Sequence, residues 1–465
     1  MIFKKGYAPM KKQIIALAAL LCLAVPGPAS AADPVPLRGI VEGFYGTPWS
    51  QENRLDMLAF CHQEGLNAYI YAPKDDPYHR DKWREPYPPE KLQELSALIK
   101  EAERQQVKFI FAVSPGLDLH FSGAAGLEDR LTMKTKLEAM YDLGVRDFAI
   151  FFDDIKEKDG RGQAEFLNWL EENFVKSHRD ISPLITVPTE YHLEDMVEKE
   201  VPKAYTQSFR AALAKDILVL YTGNRVVPDG LSDEDYQRAK AVYGNKLGLW
   251  WNYPVSDYRE AKLALGPVEK LPRVTLPAIF FNPMKHAELS KISLATGAAY
   301  AGDPGKYRAE KAWRQALKKI CGPLAEDMAK FADHSQHMEN DWAKIGPADG
   351  VHLKALAAAY WRARARGQAL EARQELDREL ASLTGSLDRL LASLPPELLA
   401  ESRPQIEQLR RIAAADRLGL ALLSGEGSKK DFAAALKEVK AHDEEALVSE
   451  ASARKLLEEI EAALR

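Results

Sequence analysis

Between residues 37 and 302 the chain alternates between two patterns. Short runs that are apolar at nearly every position give way to longer polar stretches in which apolar residues return every three or four positions. The runs are "RGIVEGF", "NAYIYAP", "KFIFAVS", "DFAIFFDD", "PLITVPTEY", "DILVLYTG", "KLGLWWNYP" and "TLPAIFFNP". Segments such as "SQENRLDMLAFCHQEG", "PEKLQELSALIKEAERQQ" and "LEDRLTMKTKLEAMYDLG" separate them and carry helical periodicity. A run without a polar face belongs to a strand covered on both sides, and such strands alternating with helices predict a parallel sheet. Eight units in roughly 250 residues match an α/β fold of the TIM type, a (β/α)8 barrel. The competing open, doubly wound sheet calls for a glycine-rich phosphate turn after its first strand, and "VEGFYGTPWS" is a poor one.

Beyond residue 303 the strand-like runs stop. Ala, Leu, Glu, Arg and Lys dominate, apolar residues recur at helical spacing, and "LPPELL" and "SGEGSKKD" read as breaks. This predicts an all-α bundle of about five antiparallel helices over residues 304–465. Its basic stretch, residues 362–373, alternates with alanines and reads as a solvated helix face. At the other end, residues 1–31 have a lysine-bearing start, a short apolar run, Pro-Gly-Pro and then Ala29-Ser30-Ala31. That is the pattern of a secretory signal peptide cut after Ala31, with the catalytic barrel expected over 32–303 and the product periplasmic or secreted. The apolar run is too short for a permanent membrane anchor, and Leu21 before Cys22 argues against a lipid anchor.

The formal net charge is −5. The only charges in residues 1–31 are Lys4, Lys5, Lys11 and Lys12, so the remainder stands at −9. An acidic chain is poorly suited to nonspecific nucleic-acid binding. Cys61 and Cys321 fall in helical patterns and read as buried thiols, with one disulfide between them as the alternative.

In a (β/α)8 barrel the chemistry sits at the C-terminal ends of the strands. Those ends carry Gly43 after Glu42, Lys74 before Asp75-Asp76, Asp153-Asp154, Glu190-Tyr191, Trp250-Trp251-Asn252 with Asp257 beyond, and Asn282. Acids, amides and aromatic faces suit sugar recognition. No histidine cluster marks a metal site, no nucleophile elbow is present, and the turns after the last two strands lack phosphate-binding glycines. Glycoside hydrolysis remains. Ordinary retaining glycosidases set two carboxylates about 5–5.5 Å apart on opposite faces of the sugar, which neighbours on one strand end cannot easily do. A 2-acetamido sugar supplies its own nucleophile, leaving one aspartate to protonate the leaving oxygen and the other to hold the acetamido N–H. The bland alternative is a strand end bonded to backbone amides. Two adjacent carboxylates should also raise at least one pKa, that of whichever aspartate donates the proton. Asp75-Asp76, in the polar stretch "KDDPYHRDKW", reads as salt-bridged loop. Trp250 and Trp251 alternate faces, so one should enter the site.

The blocks "GIVEGFYGTPWS", "YAPKDDPYHRDKWREPYP", "FFDDI", "LWWNYPVSDY" and "FFNPMKHAELSKI" together resemble glycoside hydrolase family 84. These are β-N-acetylglucosaminidases that include O-GlcNAcases and enzymes described as hyaluronidases. The resemblance covers about residues 37–300, and the helical tail resembles the region after the barrel in bacterial members. It implies that Asp153 orients and polarises the acetamido group and that Asp154 is the general acid/base. It further implies that Tyr191, Asn252 and Trp250 form the acetamido pocket, that Asp257 binds the O4 and O6 hydroxyls, and that Gly43 (through its carbonyl), Lys74 and Asn282 bind other hydroxyls. No cofactor or metal is implied, and the partners are β-GlcNAc-bearing glycans or glycoproteins. Two other readings stay open: endo-cleavage of hyaluronan, and a catalytically silent barrel that only binds GlcNAc.

Overall fold

The computed structural model describes Met1, residues 33–244 and residues 246–465, so the signal peptide read from residues 1–31 lies, Met1 apart, outside the described residues. Eight parallel strands close into a barrel: β1 (Leu37–Glu42), β2 (Ala68–Tyr71), β3 (Lys108–Val113), β4 (Asp147–Phe151), β5 (Ile185–Val187), β6 (Leu218–Tyr221), β7 (Lys246–Trp251) and β8 (Ala278–Phe281). Neighbours follow chain order, and β8 returns to pair with β1, Leu37 opposite Ala278 and Ile40 opposite Phe281. Each strand falls in one of the eight apolar runs.

Alternation along the strands explains why those runs lack a polar face. Val41, Ile70, Ala112, Phe151, Leu220 and Phe280 fill the barrel interior. Ile40, Tyr69, Phe148, Ile150 and Trp251 face the other way and join the layer beneath the helices. An ideal Cβ on Gly39 would lie 2.0 Å from the Ala68 carbonyl oxygen, so β1 and β2 admit only glycine there.

Among the described residues seven helices of two turns or more, besides the single turn Leu193–Met196, surround the barrel: α1 (Gln51–Glu64), α2 (Pro89–Arg104), α3 (Gly123–Asp142), α4 (Gly160–Asn173), α5 (Ala204–Ala212), α6 (Asp233–Tyr243) and α7 (Ala287–Gly302). Local chemistry sets their ends. Ser50 accepts a bond from Asn53 N at the start of α1, and Gly65 leaves it with φ +76°. Ser232 and Asp235 form a capping box on α6. One departure from eight full units matters for the site. The β7–β8 connection, residues 252–277, holds only a 3-10 turn, Asp257–Arg259. Pro254, Pro267, Pro272 and Pro277 stud this segment and remove backbone donors that a helix needs.

The remaining described residues form α8 (Ala309–Cys321), α9 (Ala325–Ala332), α10 (Val351–Ala365), α11 (Leu370–Ser393), α12 (Pro396–Leu423), α13 (Lys429–Ala441) and α14 (Ala453–Leu464). That is two helices more than the five expected, because Gly322-Pro323 divides the first pair and a further break falls before α10. A short antiparallel hairpin, Met338–Glu339 with Lys344–Ile345, also stands where strand character was expected to have ended. In the basic stretch, Arg364 donates to the Leu423 carbonyl and Arg373 pairs with Glu426. Cys61 and Cys321 are both buried and free. Among the described residues no helix is long and apolar enough to cross a membrane.

A buried ion pair locks the first unit. Glu42, the last residue of β1, is fully buried. Arg54 on α1 reaches its two carboxylate oxygens at 2.7 and 2.9 Å, and the Tyr69 hydroxyl on β2 donates to it as well. Removing one partner strands a buried charge, which costs about 3–5 kcal/mol. Arg54→Met is therefore expected to lower the urea-unfolding stability by about that amount, and adding Glu42→Gln should restore much of it. A single variant within about 0.5 kcal/mol of wild type would show that the pair is not structural.

Candidate active site

The C-terminal ends of the strands surround a cavity of about 400 Å³. Gly43, Lys74, Asp153, Asp154, Tyr191, Trp250, Asn252, Asp257 and Asn282 all line it, so the structure brings all nine candidate residues together. Alternation explains most of this. On β4, Ala149 and Phe151 point inward, and Asp153 continues the same face. On β7, Trp250 enters the cavity while Trp251 packs beneath the helices.

Asp154 breaks the alternation. As the next residue after an inward Asp153 it would point away. Its φ of +56° turns the chain and brings its carboxylate back into the same cavity. Left-handed backbone costs about 1–3 kcal/mol in a residue with a side chain, and aspartate tolerates it better than most.

The two carboxylates have different partners. One oxygen of Asp153 (Oδ2) takes a buried ion pair from Lys74 Nζ. The other, Oδ1, is buried and has no hydrogen-bond partner among the described residues. Asp154 accepts from two phenols, Tyr191 at 2.8 Å on Oδ1 and Tyr45 at 2.7 Å on Oδ2. Arg80 in turn donates to the Tyr45 hydroxyl at 2.8 Å. The rise in pKa expected of Asp154 is reversed. Burial pushes its carboxyl up, but the Lys74 ammonium, the two phenols and Arg80 outweigh burial and hold it below its ordinary value. Burial and the neighbouring carboxylate push the Tyr191 phenol far up, which keeps it a donor. A depressed carboxyl stabilises the fold above its unfolded pKa, and that contribution is lost as pH falls through the folded value.

A chain of hydrogen bonds crosses the cavity floor. Trp250 Nε1 and Asn282 Nδ2 both donate to Asn252 Oδ1, at 2.8 and 3.0 Å, and Gly43 N donates to Asn282 Oδ1 at 3.3 Å. Asn252 Nδ2 donates to the Val226 carbonyl at 2.8 Å. An ideal Cβ on Gly43 would lie 2.5 Å from the Trp250 ring, so the indole lies flush against bare backbone. Val226, Val227 and Thr222 make a largely apolar wall beside it. Asp257 Oδ2 accepts from Tyr45 N at 2.8 Å.

Sequence reading does not single out Tyr45, Thr222, Val226, Val227, Val255, Tyr258 or Trp342, which also line the cavity. Tyr45 stands in the strand-end stretch "EGFYG", where its aromatic ring was a usable signal. Trp342 had none. It lies far beyond the last barrel strand, at the tip of the hairpin, with its ring 5.0 Å from that of Tyr258. Two strand-end acids belong to the scaffold instead. Asp76 accepts from the Tyr71 and Tyr87 hydroxyls at 2.8 and 3.0 Å, and Glu190 takes Thr206 and Lys158. Loop hydrogen bonds, rather than the salt bridges expected of it, thus occupy Asp76. Among the described residues no group of three or more His, Cys, Asp or Glu side chains is arranged to hold a metal ion.

A closed barrel with paired acids, amides and aromatic faces at its strand ends defines a glycoside hydrolase. Comparison with known proteins gives the family. The model described as beta-N-acetylglucosaminidase matches residues 38–333, and one described as hyaluronidase post-catalytic domain-like matches residues 352–457. The chain belongs to the β-N-acetylglucosaminidases of glycoside hydrolase family 84. It is 32% identical to the protein O-GlcNAcases of Rattus norvegicus and Mus musculus over 276 residues, a stretch that takes up 57% of this chain and 30% of theirs. Among solved structures it resembles CpGH84B (37% identity, TM-score 0.85, 92% of this chain and 77% of that one). It also resembles a mutant O-GlcNAc hydrolase of Thermobaculum terrenum (28% identity, TM-score 0.82, 91% and 94%).

The electrostatics can be checked independently of turnover. An opposite charge within hydrogen-bonding reach lowers a carboxyl pKa by about 1–3 units. In Lys74→Met the Asp154 carboxyl titration, followed by carbon NMR, should move up. A midpoint that stays where it is in wild type would remove Lys74 as a charge that holds Asp154 down.

Proposed function

We propose that the chain is an exo-acting, retaining β-N-acetylglucosaminidase that removes terminal β-linked GlcNAc, including O-GlcNAc on proteins, by substrate-assisted catalysis. The observation that carries this reading is the unpartnered, buried Oδ1 of Asp153 at the cavity wall. Lys74 holds the other oxygen of the same carboxylate, and the proton donor stands one residue away. A buried acceptor without a partner is costly, and an acetamido N–H satisfies it.

The chemistry follows from that arrangement. Asp153 accepts the acetamido N–H, and the acetamido carbonyl oxygen attacks C1. The C1–oxygen bond to the aglycone breaks as Asp154 transfers its proton to the leaving oxygen. As the ring closes, the amide nitrogen becomes positive, so the bond to Asp153 strengthens in the transition state more than in the ground state. Water then adds to C1 from the aglycone side, the C1–acetamido bond breaks, and Asp154 takes the proton back. Two inversions at C1 retain the configuration. Tyr191 and Tyr45 occupy Asp154 in the free chain. The incoming leaving-group oxygen displaces one of these phenols, and losing that donor raises the Asp154 pKa toward its working range. The valine wall and Trp250 suit the acetamido methyl.

Cavity size supports exo action. Ligand sites run from about 300 to 1,000 Å³, and about 400 Å³ suits a single sugar with the first atoms of its leaving group. Gly43, Trp250 and Asn282 close the floor, whereas cleavage within a polymer needs an open groove. A silent binding barrel has no need of an acid beside the acetamido acceptor. The family's members and the named O-GlcNAc hydrolases among its relatives support the same substrate class.

The nucleophile is tested by weakening it. On aryl N-acetylglucosaminides whose acetyl group carries one, two or three fluorines, rates should fall with each fluorine. Flat rates, or a sugar trapped covalently on a carboxylate, would overturn the mechanism. The acid is tested separately. Asp154→Asn keeps a residue that tolerates positive φ and removes the proton. It should slow alkyl glycosides by about 10²–10⁴-fold and aryl glycosides with acidic phenols far less. Equal losses on both substrates would take the role away from Asp154.

A further inference from the structure

The cavity wall opposite Asp154 is not fixed by the barrel alone. Asp257 and Tyr258 line it from a 3-10 turn in the one strand connection that lacks a helix. Something else must hold that turn, and the next residues show what. Arg259 Nη2 pairs with Glu450 Oε1 at 2.6 Å, and its Nη1 donates to the Glu339 carbonyl at the base of the Trp342 hairpin. Lys262 is buried, and its Nζ lies 2.6 Å from Glu450 Oε2 and 2.8 Å from Asp349 Oδ2. One carboxylate thus spends both oxygens on two cations from the same loop.

The backbone is strapped down at the same place. Leu447 N and Gln405 Nε2 both donate to the Ala261 carbonyl at 2.9 Å. Glu450 itself stands on a fixed base. Ser449, beside it, has φ +57°, its N–H donates to the His334 carbonyl, and its hydroxyl shares a buried cluster with His334 and Ser452. Lys262 and Asp349 are buried while Arg259 and Glu450 are half-buried, and charges taken even partly out of water are stabilising only when their geometry is met closely, so the cluster is a positional constraint.

We propose that Glu450 is a positioning residue for sugar binding: by gripping Arg259 and Lys262 it sets where Asp257 and Tyr258 stand against the sugar, so the last segment of the chain tunes the barrel's pocket. This rests on reading the cavity as a β-GlcNAc site. It assigns to the C-terminal region a part in the site beyond the single lining residue Trp342.

The test is steady-state kinetics of Glu450→Gln on an aryl β-N-acetylglucosaminide, alone and combined with Asp257→Ala. Loss of ground-state positioning should raise KM by about tenfold and leave kcat within about threefold. On the Asp257→Ala background Glu450→Gln should add less than its full effect, because that effect runs through Asp257 together with Tyr258. Unchanged kinetics, a fall in kcat as large as the rise in KM, or a full further loss on the Asp257→Ala background would each overturn the proposal. Should Glu450→Gln fail to fold, Arg259→Met removes one of the two cations that Glu450 grips, leaves Lys262 paired, and is read against the same outcomes. A wild-type chain with no activity on the glycoside would overturn the functional reading and this inference with it. An active wild type indifferent to Glu450→Gln would overturn the inference alone.

Discussion

Two carboxylates on consecutive residues repel, and burial makes the repulsion stronger. The site exists because Lys74, at the end of β2, places an ammonium against one of them. That cation pairs with one oxygen of Asp153 and leaves the other without a partner among the described residues, and its field helps hold the Asp154 carboxyl below its ordinary pKa. Everything around the pair is arranged in answer to the same charge balance. The phenols of Tyr45 and Tyr191 take up the Asp154 oxygens, Arg80 holds Tyr45, and Asp257 anchors the Tyr45 backbone. The barrel contributes rigidity, because strands paired on both sides cannot move their last residues independently.

The hydrogen-bond chain on the floor has the opposite character. It is neutral, built from an indole, two carboxamides and a glycine N–H. Neutral donors fix direction without adding charge to a cavity already lined by three acidic side chains and an ammonium. Gly43 belongs to this floor for lack of a side chain: only bare backbone lets the Trp250 ring come so close.

The helical region is joined to the barrel by ion pairs and hydrogen bonds as well as in sequence. Solved relatives match 91–92% of the chain, barrel and tail together. The connection from β7 to β8 is the point of contact: it carries Asp257 and Tyr258 on the cavity side and Arg259 and Lys262 on the side facing the tail.

Periodicity by itself determined the barrel, because a strand buried on both faces must be apolar at every position and a covering helix must not be. It also determined where the chemistry sits, since side chains at strand ends face a common cavity whatever the loops do, and the strand-end residues Gly43, Lys74, Asp153, Tyr191, Trp250, Asn252 and Asn282 were all legible on that ground. Family resemblance added roles, which spacing cannot supply. The tertiary structure alone decided the rest. Alternation would send Asp154 away from Asp153, and a positive φ that no pattern announces brings it back. Local repulsion argued for a raised Asp154 pKa, and a lysine 80 positions earlier in the chain reversed it. Trp342 reaches the cavity, and Glu450 the loop that borders it, across long stretches of sequence, through a hairpin and a partly buried ion cluster. Contacts of that kind depend on where two distant segments come to rest, and a one-dimensional pattern records only what each segment does with its own neighbours.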